Sequence, residues 1–293
     1  MKLEQNIMQF ASLAGTGTGF GYIDLARSLS AMNARSISQT KRSKGKYKPL
    51  GYLVRIRALS GTVTIRSANC GYPTRNAVVL AGAARDAMLK SAGVSRGNLE
   101  SYQKELRLKF ECDQTDANLF VPGATEIGAE TGPAPGNAWE DAYGSGLTYD
   151  YTSIVFDKPS SPGTDVSQTL VLHGGKPSGD VGDEPCAPVI YNWHAWRHSF
   201  TPSAGADDIA DNVFSYAMQQ SSTADKIIDI VEDEADEKPY DFDNFHDSPV
   251  ITAASTTVGN PTTSTFCVPL GLLKVAASAG SSWEVEVVGV VEL

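Results

Sequence analysis

Five cations stand within eight residues at Lys41-Arg42-Ser43-Lys44-Gly45-Lys46-Tyr47-Lys48, and a run of that density does one kind of chemistry well. Each cation that neutralises a phosphate releases condensed counterions, so affinity for a polyanion grows with the number of contacts and needs no shaped pocket. Tyr47, inside the run, adds a ring face on which an unpaired base can stack. Arg55, Arg57 and Arg66 follow on the outward side of a strand pattern and extend the same basic surface. The bland counterpart is a solubilising linker, or a run paired with acidic residues of the same or a neighbouring chain. Lys41, Arg42, Lys44, Lys46, Lys48, Arg55, Arg57 and Arg66 are the candidate nucleic-acid-binding set.

Other groupings carry less. His194 and His198 in YNWHAWRHSF share one side of either a helix or a strand, but no HExxH glutamate and no third ligand accompany them. Packing with Trp193 and Trp196 is the simpler reading, so no metal is expected. The carboxylates between 223 and 247 lack the D-x-[DN]-x-[DN]-G order of a calcium loop and read as a solvated acidic loop. Gly15-x-Gly-x-Gly-x-Gly21 has no strand before it and no GK[ST] after it, so it is not a phosphate loop. No motif places a nucleophile–base–acid arrangement, and the four histidines, at 173, 194, 198 and 246, leave an enzyme on a β-sandwich scaffold only as a third reading behind the two non-enzymatic ones. A catalytic set and a cofactor are therefore not expected, and the chain is read as a non-enzyme. Cys70, Cys112, Cys186 and Cys267 form no CxxC; two disulfides remain open, with free buried thiols in a reducing compartment preferred.

The charge is distributed unevenly. Residues 1–110 hold 18 Lys+Arg against 5 Asp+Glu, whereas residues 111–293 hold 6 against 29, within a net charge of −10. Such polarity suggests two differently employed faces, one for a polyanion and one for water or a neighbouring copy. The opening MKLEQNIMQFASLAG has no continuous apolar run, so a signal peptide is not expected, and no stretch has the roughly 20 apolar residues that cross a bilayer.

The elements that must position these residues are mostly strands. Residues 1–49 read as an N-terminal arm of short helices plus the basic run, with helices over Leu3–Ala11 and about Asp24–Arg35. Residues 50–293 read as the body. Tyr52–Ile56 and Val63–Ile65 alternate and suggest a hairpin turned at Ser60-Gly61. A helical insertion lies near 76–102, with Thr74 or Asn76 as its cap, and it leads into a strand over Leu106–Cys112 with Arg107 and Lys109 outward. Residues 113–148 are loop-like. Strands follow at Tyr149–Phe156, Ser167–His173 and Val189–Phe200, then a helix at Asp207–Gln220 and the acidic loop near 223–247. Three closing strands are expected at Pro249–Thr257, Thr263–Lys274 and Ser282–Leu293. No βαβ rhythm appears. The fold class is mainly β, a jelly-roll or β-sandwich with inserted helices and long loops.

With the arm KRSKGKYK, the hairpin after it and the final strand SWEVEVVGVVEL in view, the chain resembles the jelly-roll major capsid (coat) proteins of small icosahedral viruses and phages. The resemblance spans most of the chain in architecture and rests on no diagnostic motif. It implies a structural subunit of the virion, made in the host cytoplasm. Such a subunit self-assembles with other copies into a shell and touches a packaged nucleic-acid genome through its basic region. A β-sandwich binding module for carbohydrate or a cell-surface ligand, on a tail or appendage, is the alternative; Trp139, Trp193 and Trp196 suit sugar stacking, but such a module does not need the basic run.

Overall fold

The computed structural model describes residues 6–11, 19–33, 36–99, 105–115, 118–120, 122, 151–157, 165–174, 186–198, 251–255 and 263–293. The helix expected at Asp207–Gln220, the acidic loop near 223–247 and most of the loop at 113–148 lie outside these residues.

The organising element is β4 (Lys46–Ser67), a single 22-residue strand. Its inward positions are Tyr52, Val54, Ile56, Val63 and Ile65, all buried. Ser60-Gly61 is therefore not a hairpin turn, as expected, but a corner within one strand. Gly61 takes φ +69, and a Cβ there would stand 2.6 Å from that of Ser281, so only glycine fits.

The partners of β4 come from the far end of the chain. Along one edge run β11 (Ser282–Glu292), opposite Leu50–Ser60, and β10 (Leu272–Ala277), opposite Val63–Ser67. Along the other lie β3 (Thr40–Ser43), β9 (Thr263–Pro269) and β8 (Ile251–Ser255). The outermost strands are β1 (Ile7–Ala11) on β11 and β2 (Gly19–Asp24) on β10.

This register forces the sheet to curl. Pro269 faces Gly51 and Leu273 faces Ser67. A straight strand from 51 to 67 would span roughly 50 Å, whereas the few residues joining Pro269 to Leu273 reach at most about 14 Å. The two ends of β4 therefore meet at the Leu270-Gly271 turn, where Leu270 N donates to Leu50 O at 2.7 Å. The inner faces of both halves join in one core, with Trp283 at its centre, stacked on Phe10 at 5.9 Å and edge-on to Phe120 at 4.9 Å.

A second layer covers part of the outside. It contains α2 (Tyr72–Ser91), α3 (Val189–His198) and a small sheet of β5 (Ser153–Asp157), β6 (Asp165–Val171) and β7 (Cys186–Pro188). Its core includes Leu106, Leu108, Ile154, Leu170 and Ile190, and reaches the curled sheet through Tyr22 and Tyr47. Helix α2 lies close on that sheet because position 82 is glycine: a Cβ there would fall 2.2 Å from Tyr47 Cδ2.

Several expectations are corrected. Ile7–Ala11 is a strand, not a helix; Met8 and Phe10 are buried and Ile7 and Gln9 exposed, a period of two. The helix expected at Asp24–Arg35 is α1 (Leu25–Met32), capped by Asp24, whose Oδ1 accepts from Arg27 N at 2.9 Å. Helix α2 starts earlier than expected, with Pro73 in its first turn and Gly71 as cap. Thr74 instead donates its hydroxyl to Asn69 O at 2.6 Å. Leu106–Cys112 forms only one bridge, Lys109 to Val171. Arg107 there points inward, since Glu105 Oε2 accepts from its Nη2 at 2.7 Å and its Nε at 3.1 Å. Val189–His198 is a helix, so local aromatic content was a poor guide to strand. Thr263–Lys274 is broken into β9 and β10 by positive φ at Leu270 and Gly271. Finally, Cys112 and Cys186 are joined in a disulfide, against the preference for free thiols.

The candidate nucleic-acid interface

The basic run is built into the sheet. Strands β3 and β4 form a hairpin whose turn is Lys44-Gly45, both residues at positive φ, with Ser43 opposite Lys46. Two-residue turns of this handedness match the twist of paired strands. Thus the run is not a free arm; it is ordered by pairing Thr40 with Pro49, Lys41 with Lys48 and Arg42 with Tyr47.

Pairing sets Lys41 directly across from Lys48, a repulsive juxtaposition. Glu292 at the end of β11 resolves it: Oε2 lies 3.1 Å from Lys41 Nζ, and Oε1 accepts from Lys48 Nζ. Those bonds, Lys48's first and Lys41's next, hold the Glu292 carboxyl below its usual range. Arg42 reaches across to Asp86 of α2 at 2.8 Å.

The outer face of β4 continues the pattern. Arg55 stands opposite Glu286 and Arg57 opposite Glu284 in register. Arg55 Nη1 lies 3.1 Å from Glu286 Oε2, and Arg57 Nη2 3.4 Å from Glu284 Oε2. The second contact is one-armed, since Arg57 Nε is buried with no acceptor. All these cations are at least partly exposed, so each pair stabilises weakly. Their larger effect is to neutralise most of the positive charge on this face.

Of the eight nominated cations, Lys41, Arg42, Lys48, Arg55 and Arg57 are each paired with a carboxylate. Lys44, Lys46 and Arg66 are exposed and have no carboxylate partner among the described residues. Lys44 lies in the hairpin turn and Lys46 directly after it, whereas Arg66 lies near the other end of β4, opposite Lys274. Tyr47 is not available for base stacking. It is buried beneath α2, with Arg85 Nη1 donating to its hydroxyl at 3.2 Å and the Arg42 guanidinium 5.6 Å from its ring centre.

The residues that sequence reasoning missed are Glu284, Glu286 and Glu292. A signal existed, because outward glutamates alternate in WEVEV as outward arginines do in VRIR, and two such strands complement each other when paired. Nothing in the sequence stated that they pair. His194 and His198 lie on α3. Among the described residues no cluster of His, Cys, Asp or Glu is grouped to hold a metal ion. No described helix is long and apolar enough to cross a membrane.

One buried polar cluster lies between the layers, at the start of α1. Asp24 Oδ2 accepts from Gln39 Nε2 at 3.0 Å and from the Tyr151 hydroxyl at 3.2 Å. Gln39 in turn accepts from Leu108 N at 2.7 Å and donates to Leu108 O at 3.1 Å. Burial pushes the Asp24 carboxyl up to about 6, while Arg27, Tyr151 and Arg107 pull part of the way back. The cluster joins the two layers through its own hydrogen bonds.

No family model matches the chain, and comparisons with curated proteins and with solved structures find no match.

Proposed function

We propose that this chain is a structural subunit of a viral or phage-like capsid that self-assembles into a shell and contacts packaged nucleic acid through the tip of the β3–β4 hairpin. The observation that carries this reading is the pair Lys44 and Lys46, exposed at a turn with no carboxylate partner among the described residues. The other cations of the run are already paired and act as a reserve of weak contacts. In this reading the curled sheet is a sandwich of the jelly-roll kind, with β4 and its partners passing from one layer to the other. Ile7, Val288 and Val291, exposed along the β1–β11 edge, supply apolar surface for neighbouring copies.

The test compares wild type with K44Q/K46Q by size-exclusion chromatography with light scattering, the 260/280 nm absorbance ratio and electron microscopy. Closed particles of uniform diameter support the shell. Packaged nucleic acid should fall in the variant while the particles persist. In a binding assay on single-stranded oligonucleotide, the slope of log K against log salt should become shallower by roughly 1.4, about 0.7 per lost contact. A wild-type monomer or small ring free of nucleic acid overturns the proposal and favours the carbohydrate- or cell-surface-binding module.

A further inference from the structure

The seam where the curled sheet returns on itself holds two thiols. Cys70 follows the end of β4, and Cys267 lies in β9 opposite Leu53, near the start of β4. They are 197 residues apart in the chain, yet the Cys70 Sγ donates to the carbonyl oxygen of Cys267 at 3.4 Å. Cys267 Sγ turns over the same seam, 2.7 Å from where a Cβ on Gly51 would stand. Both residues are half-buried and neither belongs to the Cys112–Cys186 bond. The neighbouring Cys267 and burial raise the Cys70 thiol, while the neighbouring Cys70 lowers that of Cys267. The sulfur that ionises first is therefore Cys267, with the Cys70 thiol beside it.

We infer that Cys70 and Cys267 are a redox pair whose oxidation closes a second disulfide across the seam of the curled sheet. The oxidant is a small-molecule disulfide such as oxidised glutathione. The Cys267 thiolate attacks one of its sulfurs, forming a mixed disulfide and expelling a glutathione thiolate. Cys70 then gives up its proton, attacks the Cys267 sulfur and expels the second glutathione. The two cysteines lose two electrons and two protons, and the glutathione disulfide gains them as two thiols. The bond would tie the sheet edge at β9 to the approach to α2 and so fix the meeting of the two ends of β4.

The test uses the full-length folded protein, treated with oxidised glutathione, quenched with N-ethylmaleimide and mapped by mass spectrometry without reduction. The expected product is one peptide pair joining Cys70 to Cys267, with no alkylation at either and no retained glutathione. In C70S the resolving thiol is gone, and Cys267 should keep a stable glutathione adduct. Alkylation of both cysteines in wild type after the oxidant, or a separate adduct on each, overturns the inference.

Discussion

Asp24 carries most of what a single residue does here, because its carboxylate is buried between the layers and supports both. It caps α1, receives Gln39 and Tyr151, and its carboxyl rises from 3.8 to about 6 chiefly through burial. A folded-state value above the unfolded one means that the folded protein holds the proton more tightly. The resulting stability is fully present below about pH 3.8 and is lost as pH rises through about 6. At about 1.4 kcal/mol per pH unit, that interval is worth about 3 kcal/mol. Asn caps helices as well as Asp does but stays neutral throughout. D24N should therefore gain on wild type by about 3 kcal/mol between pH 4 and pH 7, measured by urea unfolding across the range. A difference that stays flat with pH would show that Asp24 does not titrate in that window.

At the scale of elements, the ladder between β4 and β11 decides how basic the surface is. Glu284, Glu286 and Glu292 occupy Arg57, Arg55 and the Lys41/Lys48 pair. E284Q/E286Q/E292Q should release four cations, so oligonucleotide binding tightens and its salt slope steepens by up to roughly 3 for single strands. Stability should change little, because exposed pairs contribute at most about 1 kcal/mol each. An unchanged slope would mean that the outer face of β4 does not meet the nucleic acid. The alternation in VRIR and WEVEV was legible in the sequence, as were α1, the core of α2 and the inward faces of the final strands. What could not be read was which strand pairs with which. Arg55 and Glu286 are 231 residues apart, and local periodicity fixes a face without fixing a neighbour. The same gap turned one corner-bearing strand into an expected hairpin, since Ser60-Gly61 is a bend only when β10 and β11 arrive to hold both halves straight. Ile7–Ala11 failed for a related reason: its five residues suit either period until β11 selects one.

Across the described residues, the basic strand β4 and the glutamate-bearing strand β11 lie against each other, so Arg55, Arg57, Lys41 and Lys48 are neutralised in place while Lys44 and Lys46 stand exposed at the hairpin tip. The stability of that arrangement depends on the second layer staying closed over Tyr22 and Tyr47, and there the Cys112–Cys186 disulfide acts. It joins the segment carrying Leu106, Leu108 and Phe110 to β7, across a separation of 74 residues. Constraining a loop of that length in the unfolded chain corresponds to about 4 kcal/mol in the chain-entropy account. In a C70S/C267S background, where this is the sole disulfide possible, reduction should lower stability by roughly that amount. The urea midpoint with and without dithiothreitol measures it. Because the bond acts on the layer that positions α2, reduction should also loosen the Arg42–Asp86 contact before the curled sheet melts. In a variant with Trp139, Trp193 and Trp196 replaced by Phe, Trp283 fluorescence should then change at higher urea than the far-ultraviolet helix signal in the reduced protein, and together with it in the oxidised one. Coincident transitions in both states would mean that the two layers unfold as one unit whether or not the bond is present.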